Sequence, residues 1–232
     1  LTPIAVAAVS MLLLLNGAGL LVSLWLDRRG LPASVDGQAA RRKPNSLLPR
    51  LPLIFANFAM LAGGAVVSLS LVGDVFTFAA PSLLALVGQI VLLMVLDDIW
   101  FYWVHRLLHE HKGLYKHVHK LHHKAFAPVP IEYLYVHPAE WMTGAIGPVA
   151  GVVGLTLLQG EMNAWIFLGW AALRTTHELD IHSGIRSWLS RALPVLAPTE
   201  HHDLHHAKPT KGNYASTFRL WDRVLGTEIA TP

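Results

Sequence analysis

The first 26 residues, LTPIAVAAVSMLLLLNGAGLLVSLWL, carry no acidic or basic side chain, and the charged triplet Asp27-Arg28-Arg29 follows at once. A helix rises about 1.5 Å per residue, so this run is long enough to cross a hydrocarbon layer of about 30 Å. Inside lipid the backbone has no water to bond, and a helix satisfies its N–H and C=O groups internally. Residues 1–26 are therefore expected to form a transmembrane helix. A secretory signal is the competing reading, but its apolar region is shorter and follows a basic stretch, which is not seen here.

Residues 27–50, DRRGLPASVDGQAARRKPNSLLPR, are polar, basic and rich in Pro and Gly, and read as a loop. Residues 51–104 hold two more apolar runs, Leu51–Gly73 and Pro81–Val104; the second contains Gln89 and ends near Asp97-Asp98. A membrane hairpin is expected over 141–173, with arms Trp141–Leu158 and Met162–Leu173 joined by QGE. Those arms are short for full spans, so tilt or extension by their flanks is expected. Charged residues make up only 14% of the chain, against about 25% in soluble domains, which supports a membrane protein. The fold expected is all-α: an integral membrane bundle of four to five helices with a helical cap.

Arg28, Arg29, Arg41, Arg42, Lys43 and Arg50 place the first loop in the cytoplasm by the positive-inside rule. The N-terminus of the chain then lies on the opposite side, and segments 105–140 and 174–232 are both cytoplasmic. Every histidine falls on that one side. The net charge of +3 gives no reason to invoke nucleic acid, and the absence of cysteine excludes disulfides and thiolate-held metals.

The chain has 14 histidines, and they cluster. His105 and His109 are four apart, on one face of a helix continuing from the third apolar run. Gly113 is placed to end that helix. His119, His122 and His123, in HKLHH, have the spacing i, i+3, i+4, and His202, His205 and His206, in HDLHH, repeat it. Three helical segments thus offer eight imidazoles to one end of the bundle. Imidazole suits zinc, copper, iron and nickel, whereas magnesium and calcium take oxygen ligands. Eight nitrogens exceed one tetrahedral site and suit a dinuclear centre. His182 is read as a further ligand or a donor to one. His177 and His137 stand open between ligand, supporting residue and plain polar residue; His111, His117 and His201 are read as surface residues.

Metal-bound imidazoles commonly donate their other N–H to a carboxylate. Asp97, Asp98, Glu140, Glu178, Asp180 and Asp203 are candidates for that supporting role, although Asp97 and Asp98 have an equal reading as markers of the membrane interface. Trp103, Trp141 and Trp170 are candidates to line a lipid pocket, with an interfacial aromatic belt as the alternative.

At these residues the chain resembles the fatty acid hydroxylase / sterol desaturase superfamily of membrane di-iron oxygenases. The three histidine boxes occur in the same order, and DDIWFYWVHRLLH, YKHVHKLHHKAFAPV, YVHPAEW, DIHSG and HHDLHHAKPTKGNYASTFRLWDRVLGTE resemble the C4-methylsterol oxidase branch. The likeness covers about residues 97–229. His177 departs from it, since that branch carries Glu near this point. The resemblance implies two Fe ions, for which zinc can substitute, and O2 as co-substrate. It further implies hydroxylation of an unactivated C–H, most closely a sterol-type C4-methyl, with fatty-acyl or carotenoid hydroxylation as the alternative. Two electrons must come from a separate donor, a ferredoxin or cytochrome b5-type protein fed ultimately by NAD(P)H, because the chain has no dinucleotide fingerprint or haem-attachment motif. The basic residues Arg106, Lys112, Lys116, Lys120, Lys124, Lys208 and Lys211 offer a face for such a partner or for anionic lipid. Asn213 and Tyr214 match the family's GNY and are expected to brace the third box. The rival from a different class is a zinc-binding membrane protein or transporter, which requires ionisable ligands halfway along the membrane helices.

Overall fold

The computed structural model describes residues 1–29, 42–187, 189–209 and 211–229, and among these the architecture is almost wholly helical. Helix α1 (Pro3–Arg29) runs past the expected boundary and takes in Asp27, Arg28 and Arg29. Its 27 residues reach about 40 Å, so the charged end projects beyond a hydrocarbon layer of about 30 Å. Part of the basic loop, residues 30–41 with Arg41, lies outside the described residues.

The end of that loop does more than connect two helices. Arg42 bonds Asp27 at 2.6 Å, the Ala127 carbonyl at 2.6 Å and Glu132 at 3.0 Å, while Arg50 pairs with Glu132 and donates to the Lys124 carbonyl at 2.7 Å. These buried charges satisfy one another and tie α1 to the histidine-bearing segment 90 or so residues away.

A 3-10 turn (Leu48–Arg50) leads into α2 (Leu51–Leu71). Helix α3 (Leu83–Glu110) starts where the Ser82 hydroxyl accepts the Ala85 N–H at 3.2 Å. Its 28 residues, about 42 Å, carry His105 and His109 out to the edge of the span. The expected stop at Gly113 is not used. The chain breaks at His111, whose Nδ1 caps a new helix, α4 (Lys112–His117), by accepting the Leu114 N–H at 3.2 Å. Gly113 sits inside that short helix.

The hairpin is longer than its apolar residues suggested. Helix α5 (Pro138–Gly144) continues through Ala145 into α6 (Ile146–Gln159), closed by Gly160 at φ +80°. Helix α7 (Ala164–Ile181) begins at Asn163, whose side chain accepts from Trp165 and Ile166 N–H groups. It runs on past Leu173 through a polar stretch, because Arg174 and His177 find buried partners there. A two-residue parallel bridge, β1 (Phe76–Thr77) with β2 (Met162–Asn163), ties the far end, Phe76 opposite Met162.

Helix α1 packs on α2 and α7, and α3 packs on α6 and α7, so α7 stands between the two pairs. Among the described residues four segments are long and apolar enough to cross a membrane: Pro3–Arg29, Leu48–Leu71, Leu83–Glu110 and Pro138–Gln159. Their outward faces carry exposed Leu13, Leu14, Leu84, Leu157 and Leu158, as a lipid-facing surface requires. Short elements cover one end: 3-10 helices His119–Lys124 and Pro130–Leu134, then α8 (Leu189–Ala192), α9 (Thr199–Ala207) and α10 (Leu220–Val224).

Candidate metal centre

Nine buried histidines meet under this cap in two groups. His105, His109, His119, His123 and His205 form the first; His122, His182, His202 and His206 form the second. The boxes are shared between them. His119 and His123 serve the first group while His122, between them in sequence, turns to the second. His202 and His206 serve the second while His205 turns to the first. The HKLHH segment is a 3-10 helix rather than the α-helix its spacing suggested, and all three of its rings are still buried.

In the first group Nε2 of His105 lies 3.1 Å from that of His119 and 3.2 Å from that of His109. His123 closes the ring at 3.2 Å from His109 and 3.0 Å from His119. In the second, Nε2 of His202 stands 3.0 Å from His182 and 3.2 Å from His206, with His122 3.4 Å from His182. Nitrogens about 2.1 Å from a common ion stand about 3.0 Å apart at right angles and about 3.4 Å apart at the tetrahedral angle. The observed separations fall in that interval.

Hydrogen bonding alone does not explain these contacts. Several rings are oriented from behind: Nδ1 of His105 lies 2.6 Å from the Tyr214 carbonyl, His182 2.9 Å from Glu178, His205 2.9 Å from Gly212 and His122 3.3 Å from Tyr135. A carbonyl only accepts, so each of those Nδ1 atoms carries the proton and each Nε2 presents a lone pair inward. Nε2 of His205 is buried with no hydrogen-bond partner. Converging bare lone pairs repel unless a cation sits among them, so the residues fit a pair of metal ions.

Burial keeps these rings neutral. It pushes His122 down to about 4 and His205 down to about 3. Burial, followed by repulsion from neighbouring imidazoles, holds His119, His123, His182, His202 and His206 well below the ordinary histidine range. Neutral imidazole is the form that binds metal.

The remaining candidates separate by geometry. Glu140 Oε1 lies 2.8 Å from Nδ1 of His119, the carboxylate placement expected behind a metal-bound ring. Asp98 touches no histidine; it accepts the N–H groups of Thr217 and Phe218 at 3.0 and 3.1 Å and anchors the closing loop to α3. Asp180 accepts the Ser187 hydroxyl, and its carbonyl accepts from Thr199 at 3.0 Å, which fixes the entry to α9. His177 is buried but points to the Ser216 carbonyl, 2.9 Å away, outside both groups. His137 caps α5 by accepting the Ala139 N–H at 3.1 Å, also outside them. His111 and His117 are exposed as expected, whereas His201 is buried, its Nε2 2.9 Å from Asp222.

Asp222 and Asn213 complete the brace that the GNY segment promised. Asp222 accepts from Tyr214 and Ala215 N–H groups, both at 2.9 Å, and Asn213 donates to the His201 carbonyl at 2.9 Å. The backbone carbonyls that orient the rings were not predictable, since sequence does not show where a carbonyl points.

From the histidines a cavity of about 660 Å³ runs down between the helices, lined by Leu12 of α1, Leu61 and Ala65 of α2, Val149 of α6 and Phe167 of α7. It ends on His105, His119, His122, His182 and His202. Trp141 and Trp170 line it, but Trp103 does not: it is 54% exposed on the outer face of α3. Arg174 and Glu178 also line it: Glu178 stood among the candidate supporting carboxylates, whereas Arg174 was missed, its signal a lone cation just past an apolar hairpin arm.

A helical bundle of membrane type whose apolar cavity is bordered by five of nine converging imidazoles defines a membrane protein with a candidate histidine metal site. Known proteins narrow that class. The fatty acid hydroxylase family model matches residues 90–227, and the chain belongs to that family. Methylsterol monooxygenase 1 of Rattus norvegicus is 40% identical over 137 residues, covering 58% of this chain and 44% of the rat protein. Methylsterol monooxygenase erg25B of Aspergillus fumigatus is 40% identical over 150 residues, or 64% of this chain and 50% of that protein. Very-long-chain aldehyde decarbonylase GL1-8 of Oryza sativa subsp. indica is 37% identical over 158 residues, 66% of this chain and 56% of the rice protein. The chain spans about half the length of the curated relatives it matches. No solved structure matches.

Proposed function

We propose that the chain is a membrane di-iron oxygenase that hydroxylates an unactivated C–H of a lipid, a methyl on C4 of a sterol-type substrate. The observation that carries this reading is the apolar cavity that ends on five of the nine histidines. Its volume, about 660 Å³, falls in the range that encloses a drug-sized or lipid-sized molecule. The two methylsterol monooxygenases at 40% identity support the substrate class.

Two iron ions held by the two histidine groups would supply the reductive activation of O2. The balance is R–H + O2 + 2 electrons + 2 H⁺ to R–OH + H2O, and the chain's own residues set the conditions for it. Nine imidazoles would hold the metals without an oxidisable thiolate, as the chain has no cysteine. Glu140 and the carbonyls of Tyr135, Glu178, Gly212 and Tyr214 fix the rings. Cavity walls of leucine, valine and phenylalanine exclude water from the reacting C–H.

The electrons arrive from a separate acidic donor of the ferredoxin or cytochrome b5 type. Lys112, Lys116, Lys120, Lys124, Lys208 and Lys211 lie on the segments that carry the boxes and most of them are exposed, which supports docking there. The histidine end faces the cytoplasm in this reading, supported by Arg28, Arg29, Arg42, Lys43 and Arg50 at the same end of α1 and α2.

The test is elemental analysis and Mössbauer spectroscopy of protein grown in iron, followed by turnover of a 4-methylsterol under labelled O2 with a reducing partner. Two coupled irons per chain and one labelled oxygen in the product are expected. One metal or none in active protein rejects the dinuclear reading, and turnover of acyl lipids alone rejects the sterol one.

A further inference from the structure

Helix α7 presents Arg174, Glu178 and, at its C-terminal cap, His182 at i, i+4 and i+8, on one face, and all three line the cavity. Arg174 uses Nε to pair with Asp97, which holds the guanidinium in place. Its two terminal nitrogens bond no described residue, and the side chain is 28% exposed, toward the cavity. The Glu178 carboxyl is also open to it: it stands 3.9 Å from Nδ1 of His182, beyond hydrogen-bond range. Arg174 and Glu178 offset one another's charge across one helical turn, but hydrogen-bonding positions on both stay open in an otherwise apolar wall, and a ligand that fills them gains those bonds.

The pair is complementary to one kind of group. Free guanidinium N–H groups only donate, and a carboxylate only accepts. A hydroxyl does both, accepting from Arg174 through its oxygen and donating to Glu178 through its hydrogen. A hydroxyl meets both groups whether the Glu178 carboxyl is charged or neutral, because it both accepts and donates. We infer that Arg174 and Glu178 bind the hydroxyl of a lipid alcohol and so place a neighbouring carbon against the histidines. One helical turn, about 5.4 Å, separates Glu178 from His182, so the oxidised carbon lies only a few bonds from the hydroxyl. The inference rests on the lipid-hydroxylase reading and adds to it the residues that hold the substrate's hydroxyl close to the oxidised carbon.

Equilibrium binding of tritiated ligands to the full chain in nanodiscs tests it. Two pairs are compared: a 4,4-dimethylsterol with its 3-O-methyl ether, and hexadecanol with hexadecyl methyl ether. The parent protein is expected to prefer the alcohol in each pair it binds by about tenfold to a hundredfold, the worth of one hydrogen bond to a charged group. Glu178→Ala should bring alcohol and ether to within about twofold. Glu178→Gln, which keeps the volume and guards against a folding defect, should retain only part of the preference. Equal binding of alcohol and ether by the parent, or full preference in both variants, overturns the inference. Glu178-dependent preference in the hexadecyl pair without any sterol binding upholds the hydroxyl site and rejects the sterol substrate. No binding of any of the four rejects both.

Discussion

His122 and His205 hold the same place in their two HxxHH boxes, and each leaves its own box to complete the other's group. In α9 the histidine at i+3, His205, stands about 100° round the axis from the one at i+4, His206, and the two reach different groups. Both histidine groups draw on the 3-10 helix at 119–124 and on α9. His122→Ala takes one of four histidines from its group, and His205→Ala takes one of five from the other. Each variant is expected to fall from about two metal ions per chain to about one. Turnover should drop beyond the about hundredfold loss typical of outer-shell changes. Elemental analysis beside single-turnover kinetics decides this. Two ions and full turnover in both variants would falsify the crossed arrangement.

Glu140 tests the support behind the ligands. Its Oε1 stands 2.8 Å from Nδ1 of His119, and both groups are buried. Glu140→Gln keeps the shape and removes the charge that makes the ring a better donor to metal. A chelator competition should show metal affinity reduced by about tenfold to a hundredfold, with helical content unchanged. An unchanged affinity would mean that His119 is positioned by packing alone.

Much of this site was legible because helical spacing is a local property. The i, i+3, i+4 boxes predicted six of the nine converging rings and the i, i+4 pair two more, and DIHSG pointed to the ninth, His182. Long-range properties were not legible. His177 and His182 are five apart on one helical path, about 140° round the axis, so one faces the cavity and the other meets Ser216 instead. Trp103 stands two residues before His105, on the opposite side of α3, and faces outward for the same reason. His201 reads as a surface residue until Asp222, twenty-one residues on, is seen to fold back and bury it. Arg174 ends a run that reads as a membrane arm, and only its pairing with Asp97, seventy-seven residues earlier, explains it.

Gly212 is a backbone test of the same centre. Its φ is +135°, and a Cβ there would stand 2.0 Å from the Thr227 carbonyl oxygen. Its own carbonyl is the group that orients His205 at 2.9 Å. Gly212→Ala should therefore destabilise the protein by about 3 kcal/mol or more. It should also lower the metal content of whatever folded protein remains. Thermal unfolding and metal analysis of the purified folded fraction check the two effects separately. A folded variant with a full metal complement would show that the Gly212 carbonyl is dispensable.

Asp222 provides the pH dependence. Burial pushes its carboxyl up, but hydrogen bonds from His201, Thr227 and the Ala215 N–H more than offset this and hold it below the usual carboxylate value of 3.8. A carboxyl whose folded pKa is depressed binds fewer protons folded than unfolded at acid pH. Its contribution is thus complete above about pH 4 and is lost as pH falls through the folded value. Asp222→Asn removes the charge and disturbs the bonds to Tyr214, Ala215 and His201, at a cost of about 3 kcal/mol. The stability gap between parent and variant should stay constant from pH 8 to about pH 5 and narrow below pH 4. Denaturant unfolding of the detergent-solubilised pair at each pH measures it. A gap that instead widens on acidification would mean that Asp222 is already protonated in the folded chain and holds the closing loop as a neutral acid.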